Sequence, residues 1–288
     1  MQRQTAGQEA QQPPEAGTAL VAAERALLRR SDQSVARQVL YQTTVPYWKS
    51  PEGMFDDVQR ILDRILLQSR KHDLRVVGVT SARPGEGAST VASLLALMHA
   101  ARHNGAARDA AAQMAEIDLE RGLGVEAPPA GEGGGTLLID AQVRHPTLHR
   151  LFRAPAKPGL IDLLQDPECL RTGLREGPQH GLRIITAGTP NGGLAARVEP
   201  ARLQSLLTVL RESYPLILLD LPSVLRYPEG AAFSRLCDGV VLVIRAGRTR
   251  YEVVREAKTR LESADVRIIG SVLNQRRFYI PAFLYRRL

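Results

Sequence analysis

The run LRVVGVTSARPGEGAST, Leu74 to Thr90, decides the fold. Its first seven residues are rich in valine and apolar toward both faces, the composition of a central strand covered by helices on either side. The strand opens directly into Ser81-Ala82-Arg83-Pro84-Gly85-Glu86-Gly87-Ala88-Ser89-Thr90, and an apolar helical stretch continues from Val91. Glycines in such a turn let successive backbone N–H groups point inward, and the helix that follows directs its positive N-terminal end at the same point. This is the anatomy of a turn that cradles a phosphate.

Outward from this run, short β-branched segments alternate with helical ones. TLLIDA (136–141), LRIITAG (182–188), LILLDL (216–221), GVVLVIR (239–245) and RIIGSVLN (267–274) read as strands. Helices are expected over 88–104, as a set of short ones within 147–175, and over 200–213, 229–236 and 249–263. The alternation predicts an α/β fold, a doubly wound and mainly parallel sheet flanked by helices. Ligands of such sheets bind at the carboxyl ends of the strands. Upstream, Phe55, Val58, Ile61, Leu62, Ile65 and Leu66 share one face of a helix beginning near Met54. Residues 1–50, rich in Gln, Ala, Pro and Arg, read as a flexible arm, and 51–275 as the main domain. Within it, 106–135 reads as a flexible insertion, Gly- and Pro-rich toward its end, where a few residues would suffice. Residues 276–288 form a basic, aromatic tail.

The residues that follow the strands carry the chemistry. Ser89, in the first helical turn, has the spacing of a hydroxyl that ligates Mg²⁺ between nucleotide phosphates. The common pattern of such a loop is GxxxxGK[ST]; here Ala82 stands at the first glycine and Ala88 at the lysine. LILLD ends in Asp220, the place of a carboxylate that holds the metal. TLLID ends in Asp140, a second acid at the same rim. Either aspartate alone reads equally well as a helix N-cap or a strand-end turn. Both of them together with the loop point to a nucleotide site or its descendant.

Taken in order, GVTSARPGEGAST, LLIDAQVRHPTLHRLF, PGLIDLL, LILLDLPSVL, DGVVLVIRAGRTR and IIGSVLN make residues 50–288 resemble the bacterial tyrosine kinases of capsular and exopolysaccharide synthesis. These kinases are a branch of the MinD/ParA-like P-loop ATPases. The resemblance implies a nucleotide loop of Pro84, Gly85, Glu86, Gly87, Ala88, Ser89 and Thr90, with Asn274 reading the adenine. It implies Mg²⁺ on Ser89, Asp140 and Asp220, and makes Asp140 and Arg144 the candidate catalytic groups, from the family's Asp-x-Asp-x-Arg. ATP and Mg²⁺ are the implied cofactors, with binding weakened or lost. The departures are Ala88 for the lysine, Gln142 for the second aspartate of that motif, and Ser223 for the second proline after Asp220. The tail RRFYIPAFLYRRL has only Tyr279 and Tyr285 where the family carries a tyrosine cluster. The family's Glu-x-x-Arg-x-x-Arg assembly element is distorted around Asp57, Arg60 and Arg64.

Phosphoryl transfer rests on positioning and on charge stabilisation around the γ-phosphate. Removing one electrostatic donor costs on the order of 10²–10³ in rate in analogous sites. Two such losses lead us to expect a pseudo-kinase that regulates or scaffolds exopolysaccharide production beside a membrane polysaccharide chain-length adaptor. An active tyrosine autokinase and a ParA/MinD-like positioning ATPase are the alternatives. The Pro-Gly-Glu-Gly turn and PGLIDLL favour the polysaccharide branch. Self-association, or pairing with an active paralogue that has an intact loop, would be the route to restored activity.

The bulk properties exclude other classes. A chain of 288 residues, 44% hydrophobic and 24% charged, has ordinary globular composition. No stretch approaches the roughly 20 apolar residues that span a bilayer, and no secretory signal pattern opens the sequence. Cys169 and Cys237 suit a reducing compartment. A cytoplasmic location is expected, at the inner face of the plasma membrane when an adaptor is bound. The net charge of +8 permits anionic partners, but arginine is scattered, and no nucleic-acid partner is expected. Membrane-surface contact falls to the tail, with Arg276, Arg277, Arg286 and Arg287. His145 and His149 are spaced for a metal but lack a third ligand.

Overall fold

The computed structural model describes residues 51–103, 135–189 and 198–275. The expected arm, nearly all of the expected insertion and the tail lie outside them. The described elements run α1 (Pro51–His72), β1 (Val76–Ser81), α2 (88–103), β2 (Thr136–Asp140), α3 (Leu148–Leu151), α4 (Leu160–Gln165), α5 (Leu170–Gly173), β3 (Arg175–Glu176) and β4 (Leu182–Ile185). They continue with α6 (Pro200–Ser213), β5 (Leu216–Asp220), α7 (Pro228–Ser234), β6 (Gly239–Arg245), α8 (Tyr251–Ser263) and β7 (Ile268–Asn274).

Apolar side chains on both faces of the strands dictate a sheet covered twice, and that is the structure. The strand order is β3-β4-β2-β5-β1-β6-β7. Every pairing is parallel except β3 with β4. Val77, Val79, Leu138, Leu218, Val241 and Val243 face one way, toward Leu62 of α1 and Leu95 of α2. Their chain neighbours Val76, Ile139, Ile217, Leu219 and Val240 face the other, toward Leu203 and Leu207 of α6 and Leu261 of α8. The period-2 alternation of strand side chains thus feeds two separate apolar layers. Of the predicted stripe on α1, Val58, Leu62 and Ile65 are buried, while Ile61 and Leu66 pack partly against the same layer. The side chain of Phe55 lies outside the described residues.

The strand order places the site. β5 and β6 flank β1, and β2 lies on the far side of β5. Asp140 and Asp220, the last residues of β2 and β5, are direct register partners. Both therefore emerge beside the loop that leaves β1. At the opposite end of the sheet Asp238 ties three groups together. Its Oδ2 accepts from the backbone N–H of Arg75 (2.8 Å) and Val76 (2.7 Å), and its Oδ1 from Arg211 (2.7 Å).

Candidate functional site

The loop between β1 and α2 needs glycine where the sequence supplies it. Gly85 and Gly87 have φ of +81° and +93°, in the left-handed region that side chains avoid. A Cβ on Gly87 would also stand 2.1 Å from Nδ2 of Asn274. The helix begins at once, with Val91 N–H donating to the Gly87 carbonyl (3.0 Å). The loop's first part is zipped to the chain after β5: Val224 N–H donates to the Ser81 carbonyl, Leu225 N–H to that of Ala82, and the Thr80 hydroxyl to that of Pro222.

Glu86 folds back into the loop and is 3% exposed. Its carboxylate accepts from the Arg83 N–H (3.1 Å) and from the Thr249 hydroxyl, which follows β6. Asn274, at the end of β7, donates its amide to the Glu86 carbonyl at 2.9 Å. The residue implied as an adenine reader is therefore a strut against the loop's backbone in this structure. Pro84 is exposed at the loop tip, and Thr90 lies half-buried next to Ser89. Ala88 is 6% exposed and its methyl belongs to the apolar layer beneath α2.

The two strand-end acids are fully buried but used differently. Asp140 accepts from three backbone N–H groups, those of Gln142 (3.0 Å), Thr147 (2.9 Å) and Leu148 (2.9 Å). It organises the turn that leads into α3, the structural role weighed for it from sequence. Burial raises its pKa, and those three donors oppose the rise. Asp220 keeps one oxygen without a hydrogen-bond partner among the described residues. Burial raises its pKa strongly, and the neighbouring Asp140 charge raises it further. Arg144 forms an ion pair with Glu229 in the first turn of α7.

Gln142 is the residue that sequence reasoning recorded only as a loss. Its side-chain amide nitrogen lies 2.7 Å from Ser89 Oγ and 2.8 Å from Asp220 Oδ1. It joins the hydroxyl and the carboxylate that were assigned to the metal. The available signal was the change of residue type: an aspartate is acceptor-only, whereas a glutamine brings two N–H donors.

This donor set does not fit Mg²⁺ as it stands. Magnesium demands a near-octahedral shell of oxygens. Asp140 is occupied by backbone donors, and Ser89 Oγ and Asp220 Oδ1 both face an amide nitrogen that has no lone pair to give, which leaves Asp220 Oδ2 as the oxygen of this set without a donor among the described residues. Among the described residues there is no group of three or more His, Cys, Asp or Glu side chains able to hold a metal. What remains is a glycine turn at a helix N-terminus, a geometry suited to anions, with Ala88 where an intact loop would carry a cation. No described helix is long and apolar enough to cross a membrane.

The fold and the loop define the class: a doubly wound P-loop NTPase fold of the MinD/ParA type. Among known proteins, the chain is a relative of bacterial tyrosine-protein kinases, as the order of its motifs indicated. It is 24% identical over 250 residues to the tyrosine-protein kinase YwqD of Bacillus subtilis, covering 86% of this chain and 90% of that one. It is 27% identical over 146 residues to the putative tyrosine-protein kinase CapB of Staphylococcus aureus, covering 51% of this chain and 64% of the relative. The chain spans only 19% of the length of the tyrosine-protein kinase ptk of Acinetobacter johnsonii. Among solved structures, the kinase domain of Escherichia coli tyrosine kinase ETK superposes with a TM-score of 0.62 at 23% identity, over 79% of this chain and 78% of that one. The septum site-determining protein MinD of Pyrococcus horikoshii, solved with Mg-ADP, superposes with a TM-score of 0.52 at 16% identity, over 74% and 76%. No protein-family model matches the chain.

Proposed function

We propose that this protein is a kinase-like regulator or scaffold of exopolysaccharide or capsule synthesis that has lost efficient phosphoryl transfer. The observation that carries the reading is Ala88: the position of the phosphate-gripping lysine holds a methyl group turned into the core. No phosphate charge can be neutralised from there, and transfer chemistry depends on that neutralisation. The nucleotide loop, Gly85 to Thr90, is retained as a binding element, and affinity for ATP is weak. The working partner is a membrane chain-length adaptor, with the basic tail against the inner face of the plasma membrane. Self-association, or pairing with an active paralogue, is the route by which such a chain would influence catalysis.

The test compares the unmodified chain with Ala88→Lys/Gln142→Asp in Mg-ATP. The unmodified chain is expected to show no turnover above background and no phosphotyrosine at Tyr279 or Tyr285 by mass spectrometry. The double variant is expected to bind Mg-ATP about tenfold more tightly by calorimetry, about 1.4 kcal/mol. Robust turnover or tyrosine phosphorylation by the unmodified chain would refute the reading.

A further inference from the structure

In a working site of this class, a magnesium ion stands between the hydroxyl of the first helical turn and the strand-end carboxylate. Here the side-chain amide of Gln142 connects the same two groups, at 2.7 Å from Ser89 Oγ and 2.8 Å from Asp220 Oδ1. The match is stoichiometric, since an NH₂ group has two hydrogens and meets two acceptors. The backbone beneath is also fixed, because the Gln142 N–H donates to Asp140 Oδ1 at 3.0 Å. A carboxylate at position 142 would bring a third acid to two that are already buried side by side, and would need a cation there. The amide reverses that need by presenting partial positive charge to the same oxygens.

We propose that the Gln142 amide is a built-in replacement for the magnesium ion, holding the start of α2 to the end of β5 without metal. Closure of the site, and any response to a nucleoside diphosphate, is then independent of magnesium. This deepens the preceding reading, in which the loop is retained and the kinase chemistry is lost.

The test is thermal denaturation of the full chain with ADP, in EDTA and in millimolar MgCl₂. The unmodified chain should melt at the same temperature in both. Gln142→Asp should melt about 3–6 °C lower in EDTA and recover with MgCl₂. Gln142→Met, which keeps the bulk and loses both donors, should melt lower in either solution. Should the aspartate variant fail to fold, the unmodified chain and the methionine variant still decide. A magnesium-dependent rise in the unmodified chain overturns the proposal, as does a Gln142→Met variant as stable as its parent or a Gln142→Asp variant indifferent to magnesium. ATP turnover with a magnesium-indifferent midpoint would sink the kinase-loss reading and spare the latch. A magnesium-dependent midpoint without turnover would do the reverse.

Discussion

Asp140 and Asp220 end neighbouring strands in the same register, yet their surroundings give them opposite sensitivities to mutation. Asp140 satisfies three backbone N–H groups that have no other acceptor in that turn. Asp140→Ala is expected to cost on the order of 3 kcal/mol, read from urea unfolding, since buried donors left unpaired are expensive. Asp220 carries an oxygen with no partner among the described residues and a carboxyl whose charged form is disfavoured by burial and by Asp140. Asp220→Asn keeps an acceptor for Gln142 and removes the burdened acid, so it should change stability by less than about 1 kcal/mol near neutral pH. The sequence reading held both roles open for these acids because residue type and strand-end position are the same for each. Only the path of 141–148, which returns three N–H groups to one carboxylate, separates them. Gln142 was legible as a departure but not as a bridge, because its reach to Ser89 spans 53 positions of chain.

At the scale of elements, α2 is fastened to β2 through His99, whose Nδ1 lies 2.7 Å from Thr136 Oγ1. Burial first, then the nearby His103 and Arg102, lowers the His99 pKa to about 4. The unfolded chain therefore takes up a proton near pH 6.5 that the folded chain refuses until about pH 4. The associated stability is complete above pH 6.5 and is lost as pH falls through that window, by as much as about 3 kcal/mol. His99→Asn removes this dependence. The difference between its urea midpoint and that of the unmodified chain should shrink from neutral pH toward about pH 4.5. A second fastening is Asn274 on the loop. Asn274→Ala should speed amide exchange across Glu86 to Ser89 while lowering global stability by only about 1 kcal/mol.

The strands were readable from sequence because apolar side chains on both faces leave few alternatives to a covered parallel strand. Where the reading overran, a specific competitor won. LRIITAG extends to 188, but β4 stops at Ile185, because the carbonyls of Thr186 and Ala187 accept from Leu160 and Ile161 at the head of α4. β3 was not foreseen, since two residues, Arg175 and Glu176, have no periodicity to detect.

Over the whole molecule, the two ends of the sheet divide the labour. The end away from the loop is clamped by Asp238, with Arg75, Val76 and Arg211 as its donors. Asp238→Ala is expected to lower stability by about 2–3 kcal/mol and to leave nucleotide affinity within about twofold, measured by denaturation and calorimetry on the same preparation. The loop end carries the candidate site, and it is assembled from parts far apart along the chain. Glu86 and the Asn274 that braces it are 188 positions apart, and β1 lies between β5 and β6, both encoded well after it. On a ribosome the loop leaves the exit tunnel long before the residues that shape it. At about 5–20 residues per second, its last brace is synthesised roughly 10–40 s later. The glycine turn is thus among the last features a newborn chain completes, and a premature stop before β7 would yield a polypeptide with the motif but not its brace.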